Sequence, residues 1–342
     1  MDIAVDYKSL RPLTAEIPVV STKLNSTDRW NAIKLRWGIG RDHSTVTPGL
    51  YKVGNPDSNS DVYVSANYTL SFDTLRWNLD TLNAWILVID TKGVNVWCAA
   101  GKGIFSTQNL VKSIKNTSLE NIVKHRRIIV PQLGAVGVAA HKIKEQTGFR
   151  VIFGPVQARD IKKFVNSGYK ATPEMRKINF TIYERAKLIP VDFMYGIYKL
   201  LGVLFAFFIL SGLDSSGFLF TKMVETCTFP LVNILGAYLA GILVAPLLLP
   251  VIPFRAFSLK GAFWSLVVFG FINMFFEVSL AERIAMGFIS LSVASFVTMN
   301  FTGSSTYTSL SGVKKEMKWA IPFQIVFVAM GLIIFIISKL IV

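Results

Sequence analysis

Charge is concentrated in the first part of this chain. Residues 1–190 hold 27 Lys and Arg with 15 Asp and Glu, whereas residues 191–342 hold only 9 and 6. A segment so poor in charge has to bury its surface in lipid or in other protein. Apolar stretches at roughly 193–212, 228–249, 261–280, 284–302 and 320–340 each approach the ~20 residues that a bilayer span needs. The fourth is the weakest, being rich in Ser and Thr, so four or six spans are alternatives to five. The loops agree in sign with a polar domain kept inside. Inner loops hold Arg255, Lys260, Lys314, Lys315 and Lys318, and outer loops hold Lys222 and Arg283. An odd number of spans puts the C-terminus outside.

The N-terminal residues MDIAVDYKSLRPLTAE contain no apolar h-region, so no cleavable signal peptide is expected and the polar part stays in the cytoplasm, at the inner membrane. The basic residues behind the net charge of +15 are scattered, with no run and no RNA-binding signature. A lipid surface is therefore the expected partner, and nucleic acid is not. The two cysteines, Cys98 and Cys227, lie far apart, one in each part. They suggest neither a structural disulfide nor a Cys-pair metal site.

Residues 1–60 read as an irregular lead-in with Pro12, Pro18, Pro48 and Pro56, with one strand expected at 49–53. From residue 61 short apolar runs alternate with helical patterns. Strands are expected at 61–67, 85–89, 127–130 and 150–153, with a last one at 177–183. Helices are expected at 72–79, 107–115, 136–147 and 158–166. That alternation predicts an α/β domain over 61–190 with a Rossmann-like, doubly wound parallel sheet, followed by an all-α transmembrane domain over 191–342. Ligands of such sheets sit at the carboxyl ends of the strands. Small and polar residues gather there: Ser65-Ala66-Asn67-Tyr68, Asp90-Thr91-Lys92-Gly93, Pro131-Gln132-Leu133-Gly134 and Gly154-Pro155. They suggest one large ligand spanning several loops, although loops are polar and Gly-rich in any protein.

One segment singles itself out. Asn95-Val96-Trp97-Cys98-Ala99-Ala100-Gly101-Lys102 follows the second strand through a short turn. Asn95 is suited to cap a helix, and the small residues after Cys98 let a flat ligand approach the backbone. A lone cysteine is more often a small buried hydrophobe than a ligand. Its position, and a Lys102 able to favour thiolate, shift that balance.

NVWCAAGK matches the signature N-(V/I)-W-C-A-(A/G)-G-K and resembles the corrinoid protein family of microbial mercury methylation. VYVSANYTLSFDTLR, AWILVIDTKG, HRRIIVPQLGAVGVAAH and FRVIFGPVQARD resemble the same family, as does the multi-span C-terminal part. Wider relatives are the corrinoid iron–sulfur methyl carriers, which lack this cysteine and the membrane domain. The resemblance implies cobalamin bound base-off, with Cys98 thiolate as the lower axial cobalt ligand on a helix beneath the corrin. It also implies methyl transfer to Hg(II). Ser65 and Ser71 stand where that family often has Thr, and their hydroxyls are expected near the corrinoid tail. Asn67, Gln132, Gly134 and Gly154 join the expected cofactor site as residues at neighbouring strand ends, beside Asn95 to Lys102. Two cysteines leave no iron–sulfur cluster in this chain, so the resemblance implies a separate ferredoxin-like [4Fe–4S] reductant. Methyltetrahydrofolate, acting through another protein, is the candidate methyl donor.

Three other readings stay open. One is a membrane-attached corrinoid methyl carrier of one-carbon metabolism, which needs no thiolate. Another is a transporter or sensor with a regulatory α/β domain, but Gly101-Lys102-Gly103 lacks the spacing of a phosphate loop. The last is a membrane scaffold. His125 and His141 lie outside any DxHxxG pattern and are not expected to hold cobalt.

Overall fold

In the computed structural model, which describes residues 16–252, 254–301 and 310–341, the chain forms two compact units. The expectations about the N-terminal leader residues and Pro12 lie outside the described residues. One unit contains Ile39–Ile178 and the described residues up to Leu35. The other contains Asn179 onward together with Arg36–Gly38.

The first unit is built on a six-stranded sheet. Its strands are β1 (Val19–Val20), β2 (Gly49–Val53), β3 (Val62–Ala66), β4 (Ala84–Ile89), β5 (Arg127–Val130) and β6 (Arg150–Phe153), in the order β1-β2-β4-β3-β5-β6. The sheet is mostly parallel, but β2 runs antiparallel to β4, so the wholly parallel expectation is corrected there. The connection 54–61 runs from β2 to β3, on the far side of β4, and is too short for the crossover that parallel strands require, so the chain reverses. Helix α1 (Ser26–Arg36) and β1 were not foreseen in the lead-in.

Helices cover both faces of the sheet. Alternate residues of β3 sort the two cores. Val62, Val64 and Ala66 pack with α4 (Thr107–Asn116) and α6 (Ala140–Thr147), while Tyr63 packs with α2 (Thr69–Asn78) and α7 (Ile161–Asn166). Between β4 and α4 lies the short helix α3 (Val96–Gly101), and α5 (Leu119–Ile122) leads into β5.

The chain leaves β3 toward β4 on one side and returns past it to β5 on the other, so β3 and β5 flank the point where the winding direction changes. These two strands share a single register pair, Tyr63 with Ile129, whereas β5 and β6 share four.

Two sequence-predicted elements differ. The helix predicted from 136 begins at Ala140, because Gly137 instead bonds back to Gly134 and accepts from Thr107. The strand predicted at 177–183 is absent. A short turn at Glu174–Arg176 is followed by helix α8 (Ile182–Ala186), whose Thr181 and Glu184 form a capping box that favours helix over strand.

The second unit is not wholly helical as expected, because Leu213–Asp214 pairs antiparallel with Gly217–Phe218; its helices are α8, α9 (Ile189–Leu210), α10 (Phe220–Thr226), α11 (Thr228–Leu239), α12 (Ala245–Leu247), α13 (Phe257–Asn273), α14 (Leu280–Asn300) and α15 (Leu310–Ile341). Among the described residues four helices are long and apolar enough to cross a membrane, covering 182–210, 228–247, 280–300 and 311–341; α13 is shorter, at 17 residues. Lys260 is not a loop charge as expected. It lies within α13, buried, and its ammonium donates to the carbonyls of Leu249 and Ile252. A π turn at Ala240–Val244 joins α11 to α12 and frees the Gly241 carbonyl, which accepts the Thr298 hydroxyl at 3.0 Å. Small residues allow that approach: a Cβ on Gly241 would stand 2.8 Å from the Ala294 carbonyl oxygen.

Candidate functional site

At the carboxyl ends of β3 and β5 the first unit holds a cavity of about 360 Å³. Its floor is strand backbone and side chain, from Ser65 and Ile129 to Pro131. One wall is the start of α2, with Ser71 and Thr74. Another is Asn95, Val96 and Trp97 at the start of α3. The rim is the Gly154–Ala158 loop after β6.

The turn that delivers α3 is held from beneath by Asn67, which is buried. Its amide oxygen accepts the Thr91 N–H at 2.9 Å, the Thr91 hydroxyl at 2.8 Å and the Gly93 N–H at 3.0 Å. Its amide nitrogen donates to Asp90 at 3.2 Å. Lys92 and Gly93 both adopt positive φ, 54° and 71°, so the chain turns sharply before the helix begins. Asn95 then caps α3 as expected, accepting the Cys98 N–H at 2.9 Å.

The faces of α3 divide by chemistry. Ala99 and Ala100 are buried in the sheet core, with Phe105 beneath them. Gly101 and Lys102 are exposed, as is Trp97 at the cavity wall, and Cys98 is half-buried one residue on. Helix α3 is locked to the loop after β5, since a Cβ on Gly137 would stand 3.4 Å from the Ala100 Cα and against the Phe105 carbonyl. In that loop Gly134 rests under the Phe105 ring, and Gln132 has a buried side-chain oxygen without a hydrogen-bond partner.

Of the sequence-predicted site residues, the cavity brings together Ser65, Ser71, Asn95, Val96, Trp97 and Gly154. Cys98, Ala99, Ala100, Gly101, Lys102, Gln132 and Gly134 lie on α3 or the adjoining loop without lining it, and Asn67 is committed to the turn. Ser65 donates to the Ala66 carbonyl at 3.1 Å, which leaves its oxygen lone pairs free to accept. Thr74 and Gln157 line the cavity and were missed. Thr74 falls one helical turn after Ser71, a spacing that could have revealed it. Tyr63 also lines the cavity, and its burial pushes the phenol far above its ordinary range, with the neighbouring Asp61 adding to the effect. Neither His125 nor His141 reaches the cavity: the His125 ring bonds the Ser60 carbonyl at 2.9 Å, and His141 is exposed. Among the described residues both cysteines are free, and no group of three His, Cys, Asp or Glu is placed to hold a metal.

These features fit a bulky, largely apolar ligand with a few polar groups. The walls are mainly hydrophobic, the Ser65 oxygen can accept, and Gln132 carries an orphaned acceptor nearby. Gly154 leaves room that a side chain would take, because its Cβ would stand 3.0 Å from Ile129.

Residues 23–165 match the family described as CO dehydrogenase/acetyl-CoA synthase delta subunit. The acetyl-CoA decarbonylase/synthase complex subunit gamma of Methanopyrus kandleri is 32% identical over 127 residues, covering 36% of this chain and 27% of that protein. The subunit of the same name from Methanocaldococcus jannaschii is 33% identical over 144 residues, or 41% and 29%. The corrinoid/iron-sulfur protein large subunit of Moorella thermoacetica is 33% identical over 124 residues, or 36% and 27%. The chain thus spans less than a third of the length of these relatives. Residues 23–165, which hold Cys98 and the cavity lining, are similar to that family, and one of the relatives is named as a corrinoid/iron-sulfur protein.

Proposed function

We propose that this chain is a corrinoid-dependent methyl-transfer protein that binds cobalamin base-off at the cavity of its Rossmann-like sheet, with Cys98 as the lower cobalt ligand. The observation that carries the reading is a cavity at the carboxyl ends of β3 and β5, walled by the helix that bears Cys98. The names of the relatives support the corrinoid. When bound, it supplies the cobalt that carries the methyl group, and thiolate donation suits release of that group with its bonding electrons to a soft electrophile such as Hg(II). Ser65 and Ser71 offer hydroxyls to the cofactor, Trp97 excludes water at the wall, and Asn67 and Asn95 fix the helix that presents Cys98.

The Hg(II) acceptor rests on the NVWCAAGK segment. The names of the relatives favour a second reading, a membrane-attached methyl carrier of one-carbon metabolism. Either reading brings a separate ferredoxin-like [4Fe–4S] reductant, because Cys98 and Cys227 are too few to hold a cluster. Methyltetrahydrofolate, through another protein, is the proposed methyl source. The four long apolar helices support a multi-span inner-membrane protein with the α/β unit in the cytoplasm.

The test is the absorption spectrum of the protein reconstituted with cobalamin, wild type beside Cys98→Ala, followed by methyl transfer to Hg(II). Base-off features that change in the variant, with methylmercury formed only by wild type, support the thiolate reading. Identical spectra in both, without methylmercury, leave the methyl carrier. No bound corrinoid removes both.

A further inference from the structure

Helix α1 turns toward solvent the face that an ordinary surface helix makes polar. Trp30 and Ile33 are 57% and 47% exposed, and Trp37, just past the helix end, is 43% exposed. At ~100° per residue these three fall within an arc of roughly 60°. Arg29, Lys34 and Arg36 flank the stripe, and the Lys34 ammonium lies 5.8 Å from the Trp30 ring centre. The stripe is held outward from behind. Leu35 is buried on the opposite face, and Asp28 pairs with the guanidinium of the buried Arg76 at 2.8 Å. No unpaired acid is offered on the exposed side between residues 29 and 41.

Two further observations identify what covers this face. Gly38, two residues past the end of α1, belongs to the second unit, where an added Cβ would stand 3.5 Å from Val191. The residues leading into α9 carry the same chemistry: Ile182 and Tyr183 are exposed, and the Lys187 ammonium lies 4.0 Å from the Tyr183 ring centre. Indole and phenol rings beside cations, at the end of an apolar span, are the composition of a membrane–water interface.

We infer that α1 is an interfacial helix, seating Trp30, Ile33 and Trp37 among the headgroups of an anionic membrane while Arg29, Lys34 and Arg36 meet lipid phosphates. This rests on the reading of the second unit as membrane-spanning. Apolar burial and charge attraction act together in such helices, so binding responds to lipid charge.

The test uses the full chain in nanodiscs of phosphatidylcholine with phosphatidylglycerol, with Cys98 and Cys227 replaced by Ala. A spin label is placed at one exposed position in turn by Ile33→Cys, Asn31→Cys or Ile333→Cys. Collision with oxygen against a water-soluble nickel chelate reports whether each label sits in lipid or water. The expected result is an oxygen-to-nickel ratio several-fold higher at 33 than at 31, and lower at 33 in pure phosphatidylcholine. A lipid-facing label at 333 with a water-facing one at 33 overturns the inference and leaves the stripe to a protein partner. An equal ratio at 33 in both lipids overturns the choice of anionic headgroups. A water-facing label at 333 brings down the membrane reading itself, and the inference with it.

Discussion

The Asn67 amide oxygen accepts both the backbone N–H and the hydroxyl of Thr91, at 2.9 and 2.8 Å, in the interior of the first unit. This pair holds the turn from which the Cys98 helix springs. Replacing Asn67 by Ala strands the buried Thr91 N–H together with the Gly93 N–H. The expected loss is about 2–4 kcal/mol in urea unfolding and, under the proposed function, weaker corrinoid binding by titration. Asn67→Asp keeps an acceptor but sets a carboxylate against Asp90, so it recovers only part. Wild-type stability in the Ala variant would rule out this role for Asn67.

Gly137→Ala tests the lock between α3 and the loop after β5. The new methyl meets the Phe105 carbonyl, which is backbone and cannot swing aside. A cost of about 1–3 kcal/mol is expected. Faster hydrogen exchange at amides 99–105 should accompany it, and unchanged exchange there would mean that the loop does not brace the helix.

Tyr63 gives the cavity a pH signature. Its phenol is raised above the ordinary value of 10.0 by burial, with Asp61 contributing. A raised phenol contributes stability that is full below the unfolded value and is lost as pH rises beyond it. Wild type should therefore lose stability relative to Tyr63→Phe as pH climbs above 10, with no such difference near neutrality. Parallel unfolding curves across that range would contradict the burial argument.

In the helical unit, Thr298→Val removes the hydroxyl that satisfies the Gly241 carbonyl at the π turn. A loss of roughly 1 kcal/mol is expected in detergent unfolding, the scale of an interhelical hydrogen bond. Gly241→Leu should cost more, since its side chain would press on the Ala294 backbone. A milder effect from Gly241→Leu than from Thr298→Val would show that close packing is not what the glycine supplies.

The central strands were legible because each is a short apolar run bounded by turn residues, as at Ala84–Ile89 and Arg127–Val130. Helix α1 was not, because its outward face carries Trp30 and Ile33 and thus hides the usual polar side. The direction of β2 depends on the length of a connection more than on composition. Six of the candidate site residues meet at the cavity because strand ends converge by topology. Asn67 stands at such an end as well, yet burial turns its side chain to structural use. The Gln157 contribution arises from a loop that only the folded chain brings alongside, whereas Thr74 shares its helix with Ser71.

The lone register pair between β3 and β5 makes the mouth of the cavity a seam in the sheet. Elsewhere the ladder carries cohesion across neighbouring strands, but between these two it rests on the one pair of Tyr63 with Ile129. A molecule lodged between them would act as mortar, joining the two halves of the sheet where backbone bonding runs out. Occupancy and rigidity are then two aspects of one event, and a mutation that stitched the seam shut would stiffen the protein by closing its door.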